Sequence, residues 1–349
     1  MFEPIEVLVY RGDLVESRHR VHAAICDPRG NVLAAAGQPG MVTYWRSSAK
    51  PIQALPLVAA GGVEAFDFVP ADIAVMCASH EGEPYHVEQV QQILRKAGLD
   101  ASALKCGAHP PAHGPSARAL AMRGEAPSAM HNNCSGKHAG MLAHAKLIGA
   151  DPESYLDPDH PVQQRILAAV AAFTGLENGD VRTGVDGCGA PVFGLPLSAM
   201  ATAFARLASG EGIGDEYARA ARVVVSSMQA HPEMVAGTEG FCTRLMALLA
   251  PAIVAKGGAE GVYCLGHTRG KWGLALKVED GSGRARAPVV VAILKELGVW
   301  RPGAAEELEW YRTPAVRNHA GSIVGSIEAA LPEGFAGALR RMSEESAHG

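Results

Sequence analysis

The chain has little aromatic surface and no concentration of positive charge: aromatic residues make up 5% of its 349 residues, and the formal net charge is −5. With neither a basic tract nor aromatic residues interleaved among basic ones, it lacks the electrostatic footprint and the stacking platform that nucleic acid requires, so nucleic acid is not expected as a partner. No stretch approaches the ~18 uninterrupted apolar residues of a membrane-spanning helix. The amino terminus, Met1-Phe-Glu-Pro-Ile-Glu6, has no positive segment followed by an apolar core. A cytoplasmic protein without a membrane partner is expected. The cysteines (Cys26, Cys77, Cys106, Cys134, Cys188, Cys242 and Cys264) are odd in number and widely spread, which is unlike a disulfide framework and reads as reduced thiols. No repeat or low-complexity linker divides the chain. What is present, 48% hydrophobic residues at this length, suffices for a sizeable core in two domains or in one large α/β unit.

The pattern along the chain changes twice. Period-two segments at 7–10, 22–26 and 32–36 read as strands, the last two joined by Asp27-Pro-Arg-Gly-Asn31, a turn composition that favours a hairpin. Apolar residues then recur at helical spacing over 49–60, 84–97, 136–148, 160–173, 195–208, 215–228 and 243–250. Two further strands, 261–266 and 272–278, precede a helix over 288–297. This order predicts an antiparallel sheet assembled from both ends of the chain, roughly 1–45 and 255–343, with a mainly helical region 46–254 between them. Residues 1–343 would form a single catalytic unit, and 344–349 a frayed tail.

Within that frame the run Arg46-Ser47-Ser48-Ala49-Lys50-Pro51 places a serine one helical turn ahead of a lysine. A serine hydroxyl is a weak nucleophile until a base takes its proton, and a lysine acts as that base when burial or nearby cations lower its pKa. Ser-x-x-Lys tetrapeptides also occur on solvated helix faces. Here the downstream residues Ile52, Ala54, Leu55, Leu57, Val58 and Ala59 predict a buried helix, so Lys50 is held either by a carboxylate or as a desolvated base.

A second dense segment, His131-Asn-Asn-Cys134-Ser-Gly-Lys137-His138-Ala-Gly140, has a counterpart in Val185-Asp186-Gly-Cys188-Gly-Ala-Pro191. Pattern alone selects Cys134, His138 and Cys188 as zinc ligands, since thiolate and imidazole are the usual donors. The alternative, that Cys134 and Cys188 are small buried residues in tight turns, is equally open at this point. His80, Glu81, Glu83 and His86 contain metal-type donors but are accounted for by a polar loop entering a helix. The segment from Cys106 to His113, rich in proline and glycine, reads as a turn or lid over a site.

Taken together, Arg46-Ser-Ser-Ala-Lys50-Pro-Ile-Gln53, Cys77-Ala-Ser79-His-Glu81-Gly82, Asn132-Asn-Cys134-Ser-Gly-Lys137-His-Ala-Gly140 and Val185-Asp-Gly-Cys188-Gly-Ala-Pro191 resemble the rhizobial-type, or class 3, L-asparaginases, in the family's order and over most of the chain. The resemblance implies an α/β fold like that of serine β-lactamases and penicillin-binding proteins, an antiparallel sheet flanked by helices with a helical domain, and a homodimer. It implies hydrolysis of L-asparagine to L-aspartate and ammonia. Ser47 would be the nucleophile and Lys50 its base; Ser79 and Lys256 would form a second pair that relays protons. Lys256 lies in Lys256-Gly-Gly258, similar to the Lys-Thr/Ser-Gly strand signature of β-lactamases, with Gly257 where a hydroxyl residue is usual. The resemblance also implies zinc bound by Cys134, Lys137 and Cys188 with water, which replaces the pattern-only choice of His138. Zinc would orient the amino-acid end of the substrate, and His138, Arg46 and Asp186 would contact substrate. Rival readings are another Ser-x-x-Lys hydrolase, such as a glutaminase or a β-lactamase-like esterase, and a non-catalytic, zinc-stabilised amino-acid-binding protein. The absence of a Ser-Asp-Asn triplet counts against penicillin-recognising enzymes.

Overall fold

The computed structural model describes residues 2–299 and 303–348. Its main sheet comprises β1 (Ile5–Arg11), β2 (Leu14–Cys26) and β3 (Val32–Ala36) from one end of the chain, with β7 (Ile253–Gly257), β8 (Val262–His267), β9 (Trp272–Val278), β10 (Ala315–Arg317) and β11 (Ile323–Ala330) from the other. These eight strands are ordered β10-β11-β1-β2-β9-β8-β7, with β3 paired to β2. All pairings are antiparallel, Ala24 facing Ala275 across β2 and β9 and Lys256 facing Cys264 across β7 and β8. The Asp27-to-Asn31 turn closes as expected: the Asp27 carboxylate accepts from the backbone N–H groups of Arg29 and Asn31.

Burial along β2 shows how the sheet is covered. Its first half alternates, whereas Val21 to Cys26 are all buried, the signature of a strand packed on both faces. One face carries the helix Leu197–Ser209. The approach is close: a Cβ added to Gly273 would lie 2.1 Å from the Ala201 carbonyl oxygen, and one added to Gly266 would lie 2.3 Å from that of Phe204. Only glycine lets the helix settle there. The helix Arg286–Glu296 packs against β1 and β11, and Glu333–His348 against β3.

The region 46–254 is mainly helical, but it also contains β5 (Arg182–Val185) and β6 (Pro191–Pro196), which form a small second sheet with β4 (Val42–Tyr44) in the order β4-β6-β5. This corrects the helix expected over 195–208, which starts at Leu197: Leu195 precedes a proline, a position disfavoured in helices and suited to extended backbone. Lys256, expected just ahead of a strand, lies within β7. The carboxyl-terminal helix Glu333–His348 runs through residues expected to be frayed; Gly349 lies outside the described residues. At the centre of the helical layer Lys50–Ala59 touches Ser135–Leu147, Pro161–Thr174 and Asp215–Ala230, and every residue from Lys50 to Val58 is buried. Pro51 sits in its first turn, where no intrahelical N–H is lost. Among the described residues no helix is long and apolar enough to cross a membrane.

Candidate active site

β4 leads straight into the first constellation. Trp45 is fully buried, its backbone N–H donating to Phe193 O of β6 and its indole to the Cys264 thiol of β8, so the residues after it are pinned to both sheets. Arg46 then adopts φ +53°, a left-handed conformation that a non-glycine residue occupies only at a cost, and the 3-10 turn Arg46–Ala49 opens the helix at Lys50. Ser48 Oγ donates to Lys256 O at 2.9 Å, tying this turn to β7. Ser47 is left half-buried on the wall of a cavity of about 330 Å³. Among the described residues its hydroxyl makes no side-chain hydrogen bond.

Of the expected pairs, Ser79 with Lys256 is present, whereas Lys50 bonds to Ser79 and not to Ser47. Both lysines converge on Ser79, with Lys50 Nζ 3.1 Å and Lys256 Nζ 2.9 Å from its Oγ. Two positions on Lys50 Nζ are committed to carbonyl oxygens, Ala78 O and Asn133 O, and Lys256 Nζ also donates to Gly257 O. Ser79 is held in turn by its N–H on Val235 O. Both lysines are almost completely buried. Burial, followed by the charge of Lys50, pushes Lys256 down to about 7. Near neutral pH Lys256 therefore offers a lone pair to the Ser79 hydroxyl, and Ser79, Lys256 and Ser47 share the same cavity wall.

The second constellation meets the first at Lys50. Asn132 fixes the loop, accepting from Cys134 N and donating to Cys106 O and Gly107 O, and Cys134 opens the helix Ser135–Leu147. Lys137 Nζ lies 3.0 Å from Cys188 Sγ, and all three candidate donors are buried. A hydrogen bond from the Cys188 thiol, with help from the charges of Lys50 and Lys137, holds Cys134 well below the usual thiol range despite its burial. Burial works against the Lys137 ammonium, yet Cys134, Cys188 and Asp186 hold it above its ordinary value. Two thiols and an amine thus converge, a sulfur-rich donor set that suits zinc once its protons are displaced, so the residues fit the metal that the resemblance implies. Among the described residues no three histidine, cysteine or acidic side chains gather into a metal-binding group, so His138 does not complete a site with the two thiols.

The three residues expected to contact substrate have partners within the protein. Arg46 Nε and Asp186 Oδ1 are 2.9 Å apart and are spent on each other, while Asp186 also accepts from Gly187 N. His138 is fully buried, Nδ1 2.7 Å from the Tyr155 hydroxyl. None of the three lines the cavity that holds Ser47. Its wall instead includes Glu81, Tyr263 and Arg286, which the sequence did not single out as site residues. The other residues weighed around Glu81 have structural partners: His80 bonds Ser135 Oγ and Gly82 N, Glu83 bonds Thr238, and His86 bonds Glu83 N and Glu233 O. The segment from Cys106 to His113 lies over the loop, with His109 Nε2 accepting from Asn133 N and His113 N donating to Glu81 O.

An antiparallel sheet backed by helices, with Ser47, Ser79 and Lys256 on the cavity wall between them and Lys50 bonded to Ser79, is a layout that suits hydrolytic chemistry. The L-asparaginase II family model matches residues 7–329, nearly the whole chain, and the chain belongs to that family, as an amidohydrolase of the L-asparaginase type. No curated protein matches it. Solved structures similar to it include Mglu, at 15% identity and a TM-score of 0.45, covering 80% of this chain and 67% of that one. A β-lactamase from Mycobacterium bovis is similar at 15% identity and a TM-score of 0.36, over 75% of this chain and 88% of that one. The simvastatin synthase LovD of Aspergillus terreus, as its LovD6 mutant, is similar at 12% identity and a TM-score of 0.38, over 84% and 90%.

Proposed function

We propose that the chain hydrolyses L-asparagine to L-aspartate and ammonia through an acyl-enzyme on Ser47. The observation that carries this reading is the convergence of two buried lysines on one hydroxyl beside a half-buried serine. Ser47 Oγ attacks the side-chain amide carbon and gives up its proton to the network of Ser79, Lys50 and Lys256, in which Lys256 has room for a proton near neutral pH. The carbon–nitrogen bond breaks, the same network returns the proton to the leaving nitrogen, and ammonia departs. Water then attacks the ester, passes one proton to the network and frees aspartate as the network reprotonates Ser47. Each step needs one proton held and returned, which two lysines sharing a hydroxyl can do without a net change of charge. The strained turn at Arg46, held by Asp186, fixes Ser47 against the helix that carries Lys50.

Cys134, Lys137 and Cys188 would hold zinc. Once bound, it supplies a fixed divalent charge that clamps the Cys188 turn to the start of the helix Ser135–Leu147. The chemistry above runs entirely on side chains of this protein.

The test is ammonia release from L-asparagine and L-glutamine by the purified protein, with Ser47→Ala as control. Release from asparagine that disappears in the variant is the expected result. Release from glutamine alone, or turnover of ester and β-lactam substrates alone, moves the reading to another serine–lysine hydrolase. Binding of asparagine without hydrolysis, unchanged by Ser47→Ala, makes the protein a binding module. The methylene that separates the two amides is worth only about 1–3 kcal/mol in a pocket, so some glutamine turnover is compatible with the proposal.

A further inference from the structure

The cavity that holds Ser47 also holds two charges of opposite sign that, among the described residues, have no ion-pair partner. Glu81 follows Ser79 by two residues and leans against Gly237, where an added Cβ would lie 2.9 Å from Glu81 Cγ. Among the described residues its carboxylate makes no hydrogen bond or ion pair. Glu83 is the contrast: it accepts from Thr238 N at 2.8 Å, Thr238 Oγ1 at 2.9 Å and Tyr85 Oη at 2.9 Å, and these bonds hold it below the usual carboxylate range despite its burial. Glu81 is shifted the other way, raised by burial and then by the Glu83 charge. A cation placed beside Glu81 would relieve both causes.

On the sheet side of the cavity, Arg286 opens the helix Arg286–Glu296. It spends Nη1 on Gly258 O at 2.8 Å and Nε on Gly283 O at 3.3 Å, with no carboxylate within 4.0 Å among the described residues. That leaves Nη2 of the guanidinium fork uncommitted to any acid. Tyr263 of β8 stands next to it. Its hydroxyl is closed off against the Cys242 thiol, out of reach of the cavity. A Cβ on Gly257 would come within 3.2 Å of Arg286 Nη1, so the missing side chain at Gly257 leaves the guanidinium room.

A carboxylate and a guanidinium that each lack a counter-charge are costly one by one. They are explained together by a ligand that carries both charges. We propose that Glu81 binds the α-ammonium and Arg286 binds the α-carboxylate of a free amino-acid amide, so that this wall of the cavity, and not the Arg46–Asp186 pair, selects the substrate. The subsite accepts free amino-acid amides and rejects amides that lack either charge, including those inside a peptide. This assignment rests on the reaction proposed above, and its test separates the two.

The test compares L-asparagine with succinamate, which lacks the α-ammonium, and β-alaninamide, which lacks the α-carboxylate, on wild type, Glu81→Gln and Arg286→Gln. A charged hydrogen bond supports a loss of about 10- to 100-fold in kcat/KM, expected mainly in KM. Glu81→Gln should lose this factor on asparagine and β-alaninamide but change succinamate less than about threefold. Arg286→Gln should lose it on asparagine and succinamate and spare β-alaninamide. Equal losses on all three amides, or none, overturn the assignment, since a merely structural role does not follow the substrate's charges. If wild type releases no ammonia from asparagine, the proposed reaction fails, and the subsite is judged by calorimetry with L-aspartate. Binding to wild type that is lost in both variants then supports it. Binding that persists in them, or is absent from wild type, overturns it.

Discussion

Lys256 and Lys137 are both buried, and they are driven in opposite directions. Lys256 shares a hydroxyl with a second lysine, and burial together with that cation brings it down to about 7. Lys137 faces two thiols and Asp186, which outweigh burial and hold it above its ordinary value. Burial by itself therefore does not decide the protonation of a lysine; the sign of its neighbours does. The first setting suits a group that takes and returns a proton. The second keeps an ammonium against sulfur until something with more charge displaces its proton.

The sharpest way to break this contrast is Lys256→Met. If Lys256 is the proton acceptor, kcat should fall by about 10²- to 10⁴-fold. Stability should move the other way. From the ordinary 10.5 to about 7 is a cost of roughly 5 kcal/mol at about 1.4 kcal/mol per pH unit. Between those two values the unfolded chain binds a proton that the folded one does not, so the cost is full below about 7 and is lifted as pH rises toward 10.5. Methionine should thus stabilise the protein at pH 7 by roughly 2–4 kcal/mol, the remainder being lost because Ser79 and Gly257 lose a donor. The gain should shrink toward pH 10, as read by urea unfolding at both values. A variant that is less stable at pH 7 would show that Lys256 is charged in the folded protein.

Lys50→Met examines the cause of that depression. Removing the neighbouring cation should move the acid limb of kcat/KM upward from near 7 by about one pH unit, measured on the residual activity, because Lys256 then holds its proton more firmly. An acid limb that stays in place assigns the depression to burial alone. At the other lysine, Cys188→Ser should lower bound zinc from about one equivalent to a small fraction, read by elemental analysis, since structural zinc sites depend on each thiolate. Lys256→Met should keep its zinc, which makes the two lysine sites separable.

Much of this was legible in the sequence where chemistry is carried by residues close together along the chain. Arg46 to Pro51 and Asn132 to Gly140 each supplied side chains that the fold brings against Ser79, Asp186 and Cys188, and the alternation of strands and helices gave a sheet drawn from both chain ends. The misses have physical causes. β7 and β11 have weak alternation, with Gly257 ending the first and Gly325 inside the second. The helical pattern over 195–208 ran through Pro196 because it scored apolar spacing without the constraint that a proline places on the residue before it. The turn of Lys50 toward Ser79 depends on how the helix Lys50–Ala59 packs beside the segment that carries Ser79, which no local pattern encodes. Arg286 was invisible for a related reason: what marks it is the absence of a counter-charge among the described residues, and that exists only once the fold has brought every candidate into place.

The smallest expected effect separates a residue that positions Ser47 from one that touches substrate. Arg46 is held at φ +53° by an ion pair whose two side chains are 26% and 11% exposed, and a partly exposed pair of this kind is worth about 1 kcal/mol or less. Asp186→Asn keeps an oxygen for Gly187 N and removes the charge. It should lower kcat about threefold to tenfold and leave KM for asparagine nearly unchanged, because the turn loosens while the cavity wall stays intact. Its preference for asparagine over succinamate should remain that of wild type. If instead KM rises and that preference collapses, Asp186 is the partner of the α-ammonium, and the charge reading moves from the Glu81 wall back to the turn beside Cys188. Arg46→Gly sharpens the same point, since glycine adopts this φ without strain. It should retain more activity than Arg46→Ala, which loses the ion pair and keeps the strain, and the reverse order would show that the guanidinium itself is required.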